Sequence, residues 1–134
     1  MFRYLNKPFL LDGLKFDFRI YVLLAGCDPM RIYVFKEGLA RLATEEYEPP
    51  HRDNLENLCM HLTNYAINKD NPNFEFNEDE HKMDVGHKRS MTSVLELLAE
   101  QGHDVPKLWE EIKDILVKTI VSAQPTLSHH YKSC

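Results

Sequence analysis

The chain has 134 residues, enough for one domain with a real core, and its 43% hydrophobic content is ordinary for a globular protein. With 16 basic and 21 acidic residues the net charge is −5, which argues against nucleic acid as a partner. No run approaches the ~18 apolar residues of a membrane span, no leader pattern stands at the amino end, and three cysteines make no disulfide framework, so a reduced, cytoplasmic setting is expected.

In chain order, Tyr4-Leu5 resembles the end of an extended segment, and Asn6-Lys7-Pro8 breaks it because Pro8 lacks an N–H and biases Lys7 away from helix. Phe9-Leu10-Leu11 is a short apolar run, and Asp12-Gly13 is a turn signal. Residues 15–24 follow as a strand rich in aromatic and branched side chains, without Gly or Pro. Alternation puts Phe16, Phe18, Ile20, Val22 and Leu24 on one face and Lys15, Asp17 and Arg19 on the other, with neighbouring charges about 6–7 Å apart. Tyr21 and Leu23 continue the charged face as apolar residues, which predicts cover over that face further along. By periodicity alone the charged face serves equally well as a plain exposed face, whereas a strand covered on both sides with charges at one end runs into a polar cleft.

Residues 26–29 read as a turn around Pro29, and 31–36 as the partner strand of a hairpin. Glu37-Gly38 reads as another turn into a third strand at 39–43, which makes an antiparallel meander. Residues 44–57, polar and interrupted by Pro49-Pro50, read as an exposed loop. Residues 59–65 mix core and hydrogen-bonding side chains. Residues 68–85, rich in Asn and acids, read as a long mobile loop of the kind that carries function. A short helix follows from Ser90, with Val94, Leu95, Leu97 and Leu98 inside and Gly102 at its end. Asp104 and Pro106 start a second helix whose stripe is Leu108, Ile112, Ile115, Leu116, Thr119, Ile120 and Ala123, and Pro125 is expected to end it.

Several candidate chemistries fail. Cys59-x-His61 has no second ligand pair at finger-like spacing, residues 70–80 lack the turn glycine of a calcium loop, and no phosphate-binding Gly-rich loop is present. His129-His130 reads as a surface pair. The surviving set is Lys15, Asp17, Arg19, Arg41, Thr63, Asn64 and Lys88. Arg offers a planar fork for carboxylates and Lys a compact charge, which is what anion recognition needs. Taken singly, Arg41 reads more readily as a salt bridge to a neighbouring acid, and Thr63-Asn64 could be a helix cap or turn. The residues alone reach an anion-handling cleft on a sheet.

The blocks Arg3-Tyr4-Leu5-x-Lys7-Pro8, Lys15-Phe16-Asp17-x-Arg19, Glu37-Gly38-Leu39-Ala40-Arg41 and Met60-His61-Leu62-Thr63-Asn64-Tyr65 resemble, in order and spacing, the tubulin–tyrosine ligase-like family. The last of these, with Gly86-His87-Lys88-Arg89, looks most like its polyglutamylase branch. The resemblance implies an α+β fold that is part of an ATP-grasp catalytic domain, truncated at both ends. Within it an antiparallel strand meander is followed by a long loop and two C-terminal helices. It also implies a ligase that activates a glutamate side chain of a tubulin tail as an acyl phosphate for attack by the amine of free glutamate, with ATP and magnesium as cofactors.

Carried over residue by residue, the resemblance places Tyr4 and Leu5 at the adenine hinge, with Lys15, Asp17, Thr63 and Asn64 around the nucleotide. It places Arg41, Tyr65 and Lys88 on the incoming amino acid, and Arg19 as the catalytic residue at the reacting groups. Phe2 stands where the family usually has Gln. The family's magnesium ligands and the preceding half of the fold are expected outside residues 1–134, so the segment alone is expected to be inactive. Tubulin tails and microtubules are the expected partners of a monomer, in the cytoplasm, cytoskeleton and cilium or basal body. The alternatives are a ligase adding glycine or tyrosine, and a non-catalytic microtubule-associated remnant. Arg41 and Lys88 together favour an amino acid with an acidic side chain.

Overall fold

The protein is described here by a computed structural model that covers residues 4–77 and 85–133. Phe2 and Arg3 of the hinge block, the acid-rich part of the long loop at 78–84, and Cys134 lie outside the described residues. The element order is β1 (Leu10–Leu11), β2 (Leu14–Cys27), β3 (Met30–Glu46), α1 (Leu58–His61), α2 (Tyr65–Asn68), β4 (Lys88–Ser90), α3 (Met91–Glu100) and α4 (Val105–Ser133). The strands form one four-stranded antiparallel sheet in the order β1-β2-β3-β4. This is the expected α+β arrangement of an antiparallel meander with two helices at the carboxyl end.

The chain divides into two compact units, Met1–Arg19 with Gly38–Val94, and Ile20–Glu37 with Leu95–Cys134. In the first, Asp12 and Gly13 both take positive φ (53° and 79°), which gives the two-residue turn that matches strand twist and pairs Leu11 with Leu14. Leu11, Ala40, Leu42, Ala43, Met60, Met91 and Val94 are its buried apolar residues. Asn68 is buried among them with its amide fully used. Its Oδ1 accepts from the Thr44 N–H (3.1 Å) and hydroxyl (2.8 Å), and its Nδ2 donates to the carbonyls of Leu62 (2.8 Å) and Asn64 (3.0 Å). That amide ties β3 to the turn between α1 and α2.

Glu37-Gly38 is not a turn: β3 runs unbroken through it for 17 residues. The glycine is there for space. A Cβ on Gly38 would lie 2.5 Å from the Arg19 carbonyl oxygen and 3.1 Å from the Met91 sulfur, so the strand interior needs glycine where β2 and α3 approach. The expected loop at 44–57 also begins later, because β3 continues to Glu46 with Thr44 buried on Asn68. The following segment is knit by short-range bonds, including Asn54 Nδ2 to the Pro49 carbonyl (3.1 Å). The described part of the long loop is tied down as well. Asn71 donates to Glu45 (2.9 Å), and the backbone of Glu75 exchanges with His87.

In the second unit, burial along β2 alternates: Ile20, Val22 and Leu24 are half-buried, whereas Tyr21 and Leu23 are exposed (45% and 62%). The cover predicted over that face is therefore absent among the described residues. The hairpin has its helix on one face only, the usual economy of an antiparallel sheet. α3 starts with the Ser90 hydroxyl accepting the Ser93 N–H (3.0 Å) and ends in a Schellman pair, His103 N–H to Leu98 carbonyl and Gly102 N–H to Ala99 carbonyl, both 3.0 Å. Asp104 caps α4 through the Lys107 N–H (3.0 Å). Leu108, Ile112, Leu116 and Ile120 form the inner stripe, while Ile115 is 63% exposed. Pro125 does not end α4, which continues to Ser133. Proline removes one N–H, but it sits on the exposed side, where water can solvate the carbonyl four residues back, and Gln124 beside it is anchored by its Nε2 to the Cys27 carbonyl (3.1 Å).

Candidate functional site

β3 and β4 pair so that Arg41 stands directly opposite Lys88. Two cations facing each other across strands repel, and such a pair is tolerated when anions lie between or beside them. One such anion is built in. Asp17, on β2, accepts a bidentate contact from Arg41, Nε to Oδ1 at 2.8 Å and a terminal nitrogen to Oδ2 at 2.7 Å. The pair is only partly screened from water, with side-chain exposures of 28% and 42%. Arg19 is two residues further along β2 on the same face.

A cleft of about 370 Å³ gathers these cations, lined by Arg19, Arg41, Thr63, Tyr65, His87 and Lys88 among others. Its size suits a small ligand. Thr63 reaches it from the α1–α2 turn that Asn68 fixes, and Tyr65 opens α2 with its ring edge-on to Phe74 at 5.8 Å. Phe74 in turn stacks on His87 at 5.6 Å. Of the residues expected at the amino acid, Arg41, Tyr65 and Lys88 are thus brought together, and Arg19 joins them.

A second group forms around His61, which is buried. The Tyr4 hydroxyl meets His61 Nδ1 at 2.8 Å, and Lys15 Nζ donates to the His61 backbone carbonyl at 2.7 Å and lies 4.7 Å from the centre of the Tyr4 ring. Tyr4 and Lys15, both expected at the nucleotide, are therefore neighbours. Asp17 faces Arg41 instead, Thr63 lines the cleft, and Leu5 is 73% exposed. Asn64 is exposed at the start of α2, and its side chain makes no cap bond there.

Sequence reading gave no role to Asn68, Phe74 or His87, and weighed His61 only as half of a metal pair. His87 stood within a quoted block beside Lys88. Asn68 donates locally to the Leu62 and Asn64 carbonyls, but its acceptor side is filled by Thr44, 24 residues away, which no local pattern marks.

Burial pushes the His87 imidazole below its ordinary value of 6.5, against an opposing pull from Glu75. Its Nδ1 accepts the Glu75 N–H at 3.0 Å, a bond that protonation would abolish. Since the folded state binds fewer protons than the unfolded state below 6.5, this contribution to stability is complete above 6.5 and is lost as pH falls through and below it. An NMR titration should place the His87 transition below 6.5, with exchange of the Glu75 amide accelerating as the ring protonates. A transition above 6.5 would contradict the geometry.

Comparison with known proteins bears on what such a cleft is for. The pattern of the Tubulin-tyrosine ligase family matches residues 2–134. A probable beta-tubulin polyglutamylase of Tetrahymena thermophila is 75% identical over 132 residues, covering 98% of this chain and 11% of that protein. Tubulin polyglutamylase TTLL13 of Mus musculus is 52% identical over 98% of the chain and 16% of its own length. Tubulin polyglutamylase TTLL6 of Homo sapiens is 47% identical over 98% and 14% respectively. The chain thus spans between 11% and 16% of the length of these relatives. By the extent of that match, the chain belongs to the tubulin-tyrosine ligase family.

Proposed function

We propose that this chain is the amino-acid-selecting part of an ATP-dependent carboxylate–amine ligase, a tubulin polyglutamylase that adds free glutamate to glutamate side chains of tubulin tails. The observation that carries the reading is the opposed pair Arg41 and Lys88 at one cleft, with Arg19 beside them. Free glutamate brings two carboxylates. One cation answers the α-carboxylate and a second the side chain, whereas glycine needs only one. Tyr65 and Thr63 supply the hydroxyls that orient such a ligand.

ATP, when bound, would supply the activation of the acceptor carboxylate. Tyr4, Leu5 and Lys15 are the residues we assign to hold it. The residue types fit: an aromatic and an aliphatic side chain for a base, and an amine for phosphate oxygens. Thr63 lines the cleft and Asp17 holds Arg41, so we assign both to the amino-acid side, and we leave Asn64 with the nucleotide. Arg19 is assigned to the reacting groups, where a fixed cation stabilises the negative charge that develops in transfer. Among the described residues no three His, Cys, Asp or Glu side chains are grouped to hold a metal ion, and we assign no residue of this set to magnesium. The setting we assign is the microtubule, in the cytoplasm and in the cilium or basal body, with the enzyme a monomer.

The test is incorporation of labelled glutamate into microtubules by the intact enzyme. Incorporation should require ATP, and Lys88→Ala should lower it chiefly through the glutamate KM. Glutamate use that is indifferent to Lys88 would move the amino-acid site elsewhere.

A further inference from the structure

The buried His61 lies outside the proposed contacts with either substrate, yet both of its ring nitrogens and its carbonyl are engaged. Nε2 lies 2.9 Å from the backbone carbonyl of Asn54, which can only accept, so Nε2 carries the proton. In the neutral ring Nδ1 is then an acceptor, and the Tyr4 hydroxyl donates to it at 2.8 Å. Lys15 Nζ reaches that same hydroxyl at 3.5 Å and the His61 carbonyl at 2.7 Å. Asn54 is itself buried and clamped, accepting the His51 N–H at 2.9 Å and donating to the Pro49 carbonyl at 3.1 Å. The Tyr47 ring closes the imidazole edge-on at 6.3 Å.

We propose that His61 is the positioning residue of the nucleotide wall: anchored through Nε2 to the clamped 49–54 segment, it fixes the Tyr4 ring through Nδ1 and the Lys15 amine through its own carbonyl. The inference rests on the assignment of Tyr4 and Lys15 to ATP made above. Tyr4 is 44% exposed and on a segment without regular structure, so its orientation depends on a bond to something rigid. His61 is that rigid group. Holding the tyrosine in place before the nucleotide arrives spares the entropy of ordering it on binding.

The two nitrogens can be separated by substitution in the intact enzyme. His61→Gln keeps a donor at the Nε2 position but removes the acceptor facing Tyr4. It should raise the KM for ATP about five- to tenfold, the worth of one hydrogen bond, with kcat and the KM for glutamate within about twofold. Tyr4→Phe, at an exposed residue, should do the same. The double variant should be no worse than either single one, because both remove the same bond. His61→Asn returns a polar atom to the Nδ1 position and should recover most of the ATP affinity while melting lower, since the tie to Asn54 is gone. A merely structural histidine would give the opposite ranking, with affinity following melting temperature. An unchanged KM for ATP in His61→Gln, or effects that multiply in the double variant, would overturn the inference while leaving the ligase reading intact. If the unsubstituted enzyme bound no ATP, as measured by direct titration of the nucleotide, the ligase reading and the inference would both fall.

Discussion

Arg41→Ala should raise the KM for glutamate about 30-fold, which corresponds to about 2 kcal/mol, at the low end of what truncating one member of a hydrogen-bonded charge pair costs. The low end applies because the pair with Asp17 is partly exposed and screened by water. The KM for ATP should stay within about twofold, as none of the contacts around Tyr4, Lys15 and His61 involves Arg41. The split between the two constants is the informative quantity. Steady-state kinetics with each substrate varied in turn would measure it. Equal loss for both substrates would mean that the variant disturbs the sheet rather than the ligand. Asp17 contributes through the same guanidinium, so its substitution should act on glutamate before it acts on ATP.

Gly38→Ala should destabilise the protein by about 3 kcal/mol, the upper range for overpacking a filled interior. The added methyl would meet the Arg19 carbonyl oxygen at 2.5 Å and the Met91 sulfur at 3.1 Å. The sulfur can swing aside, but the backbone oxygen cannot. β2 must therefore shift at the residue that presents its side chain to the cleft, and turnover should fall along with the melting temperature. Calorimetry and a glutamylation assay on the same preparation would check both. A variant that melts like the unsubstituted protein would show that β2 yields at no cost, and that Gly38 has no bearing on Arg19.

The parts of this fold written in local pattern were readable from the sequence. Alternation along residues 15–24 separates the Lys15, Asp17 and Arg19 face from the phenylalanines, and Phe16 and Phe18 do meet edge-on at 5.4 Å. The Asp12-Gly13 turn and the glycine end of α3 carry residue types that only a few backbone geometries want. What stayed hidden depends on partners far along the chain. Gly38 looks like a turn glycine until β2 and α3 are known to press on it. Thr44 looks like the start of a polar loop until Asn68 is found to satisfy it.

Pro125 is a helix breaker by propensity, yet propensity is a weak prior when the flanking turns are anchored as Gln124 is. The cover expected over Tyr21 and Leu23 was inferred from hydrophobicity alone, which does not distinguish a buried face from an exposed one. At the site, residue types pointed to an anion cleft. The facing of Arg41 and Lys88 is a property of strand register, and the engagement of Arg41 by Asp17 joins residues 24 apart in the chain.

We propose above that the cleft of Arg19, Arg41 and Lys88 selects free glutamate for addition to a tubulin tail. It is tested most directly by mass spectrometry of tubulin tails after reaction with the intact enzyme, ATP and an equimolar mixture of glutamate, glycine and tyrosine. The expected products carry whole numbers of added glutamate residues and nothing else, and Lys88→Ala reduces them. Tails that gain glycine or tyrosine, or that gain nothing while ATP is bound, would contradict it.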